Sequence, residues 1–291
     1  MDVRQRARET LLAGLPVRER RRQLAGVSTA VLEGGDGPPM VLLHGPGEFG
    51  ATWLPVVRRL ARTHHLVVPD LPGHGESRVE EGPLDAARVL GWLDELVEEV
   101  CPVPPVLVGK TIGGAVAARY AAGDHRRIAA VVLVDTLGLT AFDPDPRFAM
   151  AVQRFLGAPT PRSYERLMDF CAFDLERVRA DMGERWDAFT AYAVEVAGDD
   201  HVQAAFGSLI GQFAAPIPPA QLAGIDVPTT LIWGRHDLVT RLSVAETASA
   251  RYGWPLHVVE DAGDDPALDR PAAFVATLED ALGAVQAGAI R

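Results

Sequence analysis

The chain has 291 residues, 48% of them apolar and 23% charged, so a full core can form without disulfide or metal staples. Its 28 basic residues stand against 39 acidic ones, a formal charge of −11. That is the opposite sign to a duplex-binding protein, and no nucleic-acid partner is expected.

The two cysteines, Cys101 and Cys171, lie far apart without paired Cys/His spacing. Neither a disulfide framework nor a metal site is expected, and a reducing cytoplasm is the plain reading. Residues 1–24 form an Arg-rich arm, with seven Arg against three acids up to Arg22 and no apolar run of signal-peptide type. The arm reads as a solvated helix, with capture of an acidic partner as the alternative. No later stretch reaches the roughly 18 uncharged apolar residues of a membrane span, so no membrane partner is expected.

From residue 27 onward, short β-branched runs alternate with longer amphipathic ones. Val27 to Leu32 predicts a strand, Gly34 to Gly37 a turn, and Met40 to Leu43 a buried strand ending at His44-Gly45. Thr52 to Ala61 predicts a helix with Thr52 at its N-cap. Leu66 to Pro69 is a strand ending at Asp70, before the loop Leu71 to Ser77. Leu84 to Val100 has helical apolar spacing, Val106 to Val108 a strand, Ile112 to Ala122 an Ala-rich helix, and Val131 to Val134 a strand ending at Asp135.

This alternation breaks between about Leu137 and Gly224, where Arg162 to Phe173 and Leu175 to Ala197 look helical. It resumes with a strand at Thr229 to Trp233, a helix around Leu242 to Tyr252, a strand at Leu256 to Val259 and a helix from Pro271 to about Val285. Near-continuous apolar strands separated by helices indicate a parallel sheet covered on both faces, with ligands beyond the carboxyl ends of its strands. His44, Asp70, Gly109 to Gly114 and Asp135 all fall there.

Val108-Gly109-Lys110-Thr111-Ile112-Gly113 joins a strand to a helix through a sharp turn. Glycines two before and two after the central hydroxyl give the GxSxG spacing of a nucleophile elbow, with Thr111 at its centre. Gly109-Lys110-Thr111 also spells the end of a phosphate-binding loop. Position 104 is Pro where that loop needs Gly, so nucleotide binding is set aside.

Together with His44-Gly45, the Asp70 to Ser77 loop, Trp233 to Asp237 and Asp261 to Pro266, the elbow makes the chain resemble the α/β-hydrolase superfamily, particularly its capped members. The resemblance covers roughly residues 25–136 and 225–291. It implies an eight-stranded, mostly parallel sheet, a helical cap at 137–224 and no cofactor.

It also implies that Asp237 holds the family's acid position, that Asp264 stands where the histidine is usual, and that Thr111 replaces the nucleophile. Pro46, which has no N–H, follows His44-Gly45 where an oxyanion donor is usual, while the amide of Ile112 remains. The hydrolytic mechanism therefore does not carry over unchanged.

Thr111 with Asp264 as its base is one reading, weakened by the low basicity of a carboxylate and by a β-branched residue in a strained turn. Asp237 and Asp264 sharing a proton is another, suited to isomerisation, elimination or cyclisation. Lys110, the only lysine in the chain, can pair with Asp264 or Asp237, meet an acidic substrate or form a Schiff base. Asp135 is an alternative acid and His201 an alternative base.

Gly45, Pro46, Gly47, Lys110 and Ile112 are expected to border a small, partly hydrophobic molecule, under aromatic residues of the cap. The expected function is an enzyme with a Thr111/Asp237/Asp264 site, either non-hydrolytic or a weak ester or thioester hydrolase. The alternatives are a ligand-binding protein without turnover and an interaction module acting through the arm.

Overall fold

The computed structural model describes residues 2–123 and 127–289. Nine strands form one sheet: β1 (Arg18–Leu24), β2 (Val27–Gly34), β3 (Pro39–Leu43), β4 (His65–Pro69), β5 (Arg78–Val79), β6 (Val106–Lys110), β7 (Ala130–Val134), β8 (Thr229–Gly234) and β9 (Leu256–Val259). Eight of them run in the order β1-β2-β4-β3-β6-β7-β8-β9, and β5 adds two residues against β2. The pairs from β4 to β9 are parallel, whereas β1 and β4 both run antiparallel to β2.

β3 and β7 are buried along their whole length, which is why they read as continuous apolar runs. Successive side chains still alternate between faces. Val41 and Leu43 join one core layer, while Met40 and Leu42 join the other.

The first four helices are α1 (Val3–Leu12), α2 (Leu54–Leu60), α3 (Ala86–Val100) and α4 (Ile112–Ala121). α3 packs Val89, Trp92, Leu93 and Leu96 on one face of the sheet, and α2 packs Val56, Val57 and Leu60 on the other. Asp85 caps α3 by accepting from the Arg88 amide. Thr52 does not cap a helix: it lies inside a short 3₁₀ turn, Gly50–Trp53, that precedes α2, and its hydroxyl turns to Glu48.

Between β7 and β8 the chain forms α5 (Pro146–Gly157), α6 (Pro161–Cys171), α7 (Leu175–Met182), α8 (Glu184–Ala197), α9 (Asp200–Phe213) and α10 (Pro219–Ala223), with no strand among the described residues. The run expected as one helix from Leu175 to Ala197 breaks at Gly183, whose φ of +55° falls where only glycine is unstrained. α11 (Leu242–Tyr252), α12 (Pro266–Asp269) and α13 (Pro271–Ala289) complete the fold.

The arm is not a solvated helix throughout. Its second half is β1, an edge strand whose charged residues read poorly as sheet; Arg22 donates two hydrogen bonds to Glu33 on β2, at 2.9 and 3.1 Å. Its first half, α1, packs against α8 and buries Leu11 and Arg8. Arg8 Nη2 lies 3.2 Å from Asp70 Oδ2, its Nε lies 2.6 Å from Glu19, and its Nη1 donates to the Tyr192 hydroxyl at 2.8 Å.

Candidate active site

The elbow sits where β6 meets α4. Thr111 has φ +47° and ψ −111°, a left-handed conformation that is costly for a β-branched residue. The flanking glycines allow it: a side chain at Gly109 would strike the backbone of Gly113, and one at Gly113 the carbonyl of Leu43. Ile112 opens α4, where first-turn amides have no partner within the helix.

Thr111 Oγ1 is buried and has no hydrogen-bond partner. It points toward Gly45: a Cβ built there would lie 2.5 Å from Thr111 Oγ1 and 3.0 Å from Glu48 Oε1. The absence of a side chain at Gly45 is what lets these two groups converge.

Above the elbow lies a cavity of about 310 Å³. Pro46, Gly47, Glu48, Thr111, Asp264 and Asp265 contribute to its wall near the strand ends. Phe148, Phe155, Phe189 and Phe206 come from the helices between β7 and β8. No histidine lines it among the described residues, and most of its wall is apolar. Phe170, Phe173, Trp186 and Phe213, further aromatic residues of the same segment, are not in the wall. Phe173 instead stacks on His236 with ring centroids 4.5 Å apart.

Of the residues expected to border a ligand, Pro46 and Gly47 line this cavity, whereas Gly45, Lys110 and Ile112 are not in its wall. Lys110 is fully buried and pairs with neither Asp264 nor Asp237. Its Nζ bonds Asp265, reaches Glu48 Oε2 at 3.0 Å and lies 5.4 Å from the Trp53 ring centroid. Burial alone would lower the basicity of Lys110; the carboxylates of Asp265 and Glu48 outweigh it and hold the amine cationic. A Schiff-base role is thus disfavoured, since it needs the neutral amine.

Asp264 is held by the loop after β9. Its amide donates to the Cys171 carbonyl at 2.9 Å, while Asp269 accepts from the amides of Gly263 at 2.7 Å and Phe173 at 3.0 Å. This ties the loop to the C-terminal end of α6. Asp264 Oδ1 is buried without a partner. Burial, followed by the charges of Asp237, Glu48 and Asp265, raises its carboxyl well above the usual carboxylate range.

Asp237 stands in the loop after β8 and does not line the cavity. Its Oδ1 accepts from the amides of Val239 at 2.7 Å and Thr240 at 2.8 Å, and the Trp233 indole pins the loop through the Thr240 carbonyl at 2.7 Å. Beside the expected pair of Asp237 with Asp264, the structure sets Asp135 near Asp237, and the Oδ2 atoms of Asp135 and Asp237 are both buried without a hydrogen-bond partner. Burial pushes Asp237 up to about 7 against its amide donors, and pushes Asp135 well above its ordinary value with help from Asp237 and Asp264. β7 and β8 are neighbours in the sheet, so their following loops meet.

The histidines near the strand ends are structural. His44 Nδ1 donates to the Gly45 carbonyl at 2.7 Å, and its Nε2 accepts from the Leu71 amide at 2.8 Å. Burial lowers His44 to about 4 and His74 to about 3, so both are neutral at pH 7. His201 faces Asp199 at 3.9 Å, outside the cavity wall. Cys171 lines the cavity, but burial raises its thiol and keeps it protonated. Glu48 was the residue that motif reasoning passed over; an acid two residues beyond a proline that removes the usual amide donor was the available signal.

A sequence model described as the alpha/beta hydrolase family matches residues 40–277. The chain is 30% identical over 261 residues to a pimeloyl-[acyl-carrier protein] methyl ester esterase of Aeromonas salmonicida (strain A449), covering 86% of this chain and 97% of that protein. It is 24% identical over 265 residues to human monoacylglycerol lipase ABHD6, covering 86% of this chain and 77% of that protein. Among solved structures, 2-hydroxy-6-oxo-6-phenylhexa-2,4-dienoate hydrolase from Rhodococcus sp. strain RHA1 superposes with a TM-score of 0.79 at 25% identity. That match covers 92% of this chain and 99% of the other. With the elbow, the strand order and a family match over most of its length, the chain belongs to the alpha/beta hydrolase family.

Proposed function

We propose that the chain is an enzyme acting on a small, largely apolar carbonyl compound through a Thr111/Asp237/Asp264 site that has departed from the usual triad, by proton transfer of isomerase, lyase or cyclase type. The observation that carries this reading is the Asp264 carboxyl, set in the cavity wall with one oxygen free of any partner. A carboxylic acid kept neutral in an apolar site donates a hydrogen bond to a carbonyl and gives it a proton as charge builds on oxygen. Asp237 does not touch the ligand in this scheme; its charge acts on Asp264 from behind. The helices of residues 137–224 serve as the cap that keeps water away.

What speaks against ester hydrolysis is the state of Thr111: its hydroxyl has no base at hydrogen-bond distance, and Pro46 offers no amide to an oxyanion. The names of the three relatives above all describe substrates with a carbonyl joined to a carbon chain, which supports the choice of a carbonyl compound. The same unpartnered hydroxyl favours one second reading, a ligand-binding protein without turnover.

The test is p-nitrophenol release from short-chain and medium-chain acyl esters by the wild type, Thr111→Ala and Asp264→Asn. The expected result is release at background, or equal in all three. Release that disappears in Thr111→Ala would establish acyl transfer and overturn the reading. For the second reading, a small molecule would raise the melting temperature and be recovered unaltered.

A further inference from the structure

Glu48 is the one side chain of the cavity wall that combines a carboxylate with a fixed cationic partner and a partly exposed face. All three of its donors fall on a single oxygen: Oε2 accepts from the Gly45 amide at 2.8 Å, from Lys110 Nζ at 3.0 Å and from the Thr52 hydroxyl at 3.2 Å. The other oxygen, Oε1, is the one that converges with Thr111 Oγ1 on Gly45. A carboxylate anchored through one oxygen and bare at the other is oriented to take a proton.

Lys110 explains why the anchor is ionic. It is buried behind the wall, bonded to Asp265 as well, and cannot itself reach the cavity. Its ammonium serves Glu48 by fixing the direction of that side chain in an otherwise apolar site. Asp264, in the same wall, has the opposite endowment: no cationic contact among its hydrogen bonds and an unpartnered oxygen. Two carboxyl groups in one cavity, one tied to a cation and one without any such partner, are arranged as a base and an acid.

We infer that Glu48 is the catalytic base of this site and that its substrates are carbonyl compounds carrying an acidic C–H next to the carbonyl. The inference rests on the proton-transfer reading above. Glu48 removes the proton from the carbon adjacent to the carbonyl, and that C–H electron pair becomes the new C=C bond. The carbonyl π pair moves to oxygen, which takes the proton of Asp264. In reverse, Asp264 recovers its proton from the enol oxygen and Glu48 returns its proton to the same carbon or to a conjugated one. Substrate and product are isomers, both carboxyls end as they began, and no oxidant or co-reactant is needed.

Because the Glu48 side chain is 29% exposed, its proton exchanges with solvent between turnovers. The step is therefore readable as isotope exchange. The full-length protein is incubated with 4-phenyl-2-butanone in D₂O, and loss of the protons next to the carbonyl is followed by NMR. Affinity for the ketone is measured in parallel by calorimetry, and folding by melting temperature.

The expected result is exchange well above buffer in the wild type, falling at least about a hundredfold in Glu48→Gln with ketone affinity and melting temperature preserved. Glu48→Asp, which keeps the charge on a shorter arm, should restore part of the rate. Ketone that binds but exchanges no faster than in buffer, or at the wild-type rate in Glu48→Gln, overturns the role of Glu48 alone. Failure of the wild type to bind the ketone overturns the carbonyl reading itself, and with it this inference.

Discussion

Asp135 and Asp237, in the loops that follow β7 and β8, share one arrangement: each has Oδ1 held by backbone amide and Oδ2 buried without a hydrogen-bond partner. Asp135 draws one amide donor, from Gly234, whereas Asp237 draws two, so Asp135 is the more readily protonated of the two.

This pair sets the sign of the stability profile. Asp135, Asp237 and Asp264 all titrate higher in the folded chain than the unfolded value near 3.9. Their stabilising contribution is complete below that value and is lost as pH rises through the folded values, about 7 for Asp237. His44 and His74 act in the opposite sense and lower down: their contribution is complete above about 6.5 and is lost as pH falls toward folded values of about 4 and about 3. Above pH 6.5 the slope therefore reports the carboxyls. Urea unfolding between roughly pH 6.5 and 8.5 should show stability falling by up to about 1.4 kcal/mol per pH unit for each titrating group. Asp237→Asn should flatten it; an unchanged slope in both Asp237→Asn and Asp135→Asn would refute the assignment.

Much of the fold was legible because several strands of the parallel half carry short apolar runs followed by a chemistry-bearing residue: Leu43 before His44, Pro69 before Asp70, Val134 before Asp135. What resisted was pairing across the sheet. Asp237 meets Asp135 because β7 and β8 are adjacent, a fact that belongs to strand order rather than to any local motif. For Lys110 a structural ion pair was open beside pairing with Asp264 or Asp237, and it makes one with Asp265 and Glu48. Asp265 is the N-cap of α12 and turns away from its neighbour, so a one-residue change of direction reassigns the partner. β1 was missed because an edge strand can satisfy its charges with solvent and Glu33 and needs no apolar alternation.

The arm is expected to be part of the folded unit. Asp70 accepts from the amides of Gly50 and Glu76, and Arg8 is its one cationic contact among the described residues. Arg8→Leu leaves that carboxylate buried with its amides alone, and should lower unfolding stability by about 3 kcal/mol, at the low end for a broken buried pair. Asp70→Asn in the same background should recover part of the loss. A change below about 1 kcal/mol for Arg8→Leu in urea unfolding would show that the arm does not anchor this loop.

Lys110 should prove structural and electrostatic rather than covalent. Lys110→Met removes the cation shared by Asp265 and Glu48 and should cost about 3 to 5 kcal/mol of stability. Borohydride treatment of the wild type with a small ketone should leave its mass unchanged, because both carboxylates keep the amine protonated. A reduced adduct mapped to Lys110 by mass spectrometry would overturn this assignment.

The elbow supplies the last expectation, because strain there has a signature that packing cannot imitate. At an ordinary position glycine is less favourable than alanine by about 0.5 to 1 kcal/mol, since it gives the unfolded chain more freedom. At Thr111 the φ of +47° penalises any Cβ, by roughly 1 to 3 kcal/mol. Neither Thr111→Gly nor Thr111→Ala breaks a hydrogen bond, because Oγ1 makes none, and both remove the same buried methyl. Their difference therefore isolates the backbone. Thr111→Gly should be the more stable of the two by about 1 kcal/mol in urea unfolding, the reverse of the usual order. If the alanine variant is the more stable, the turn holds Thr111 without strain, and its retention would call for no role in positioning the hydroxyl over the cavity.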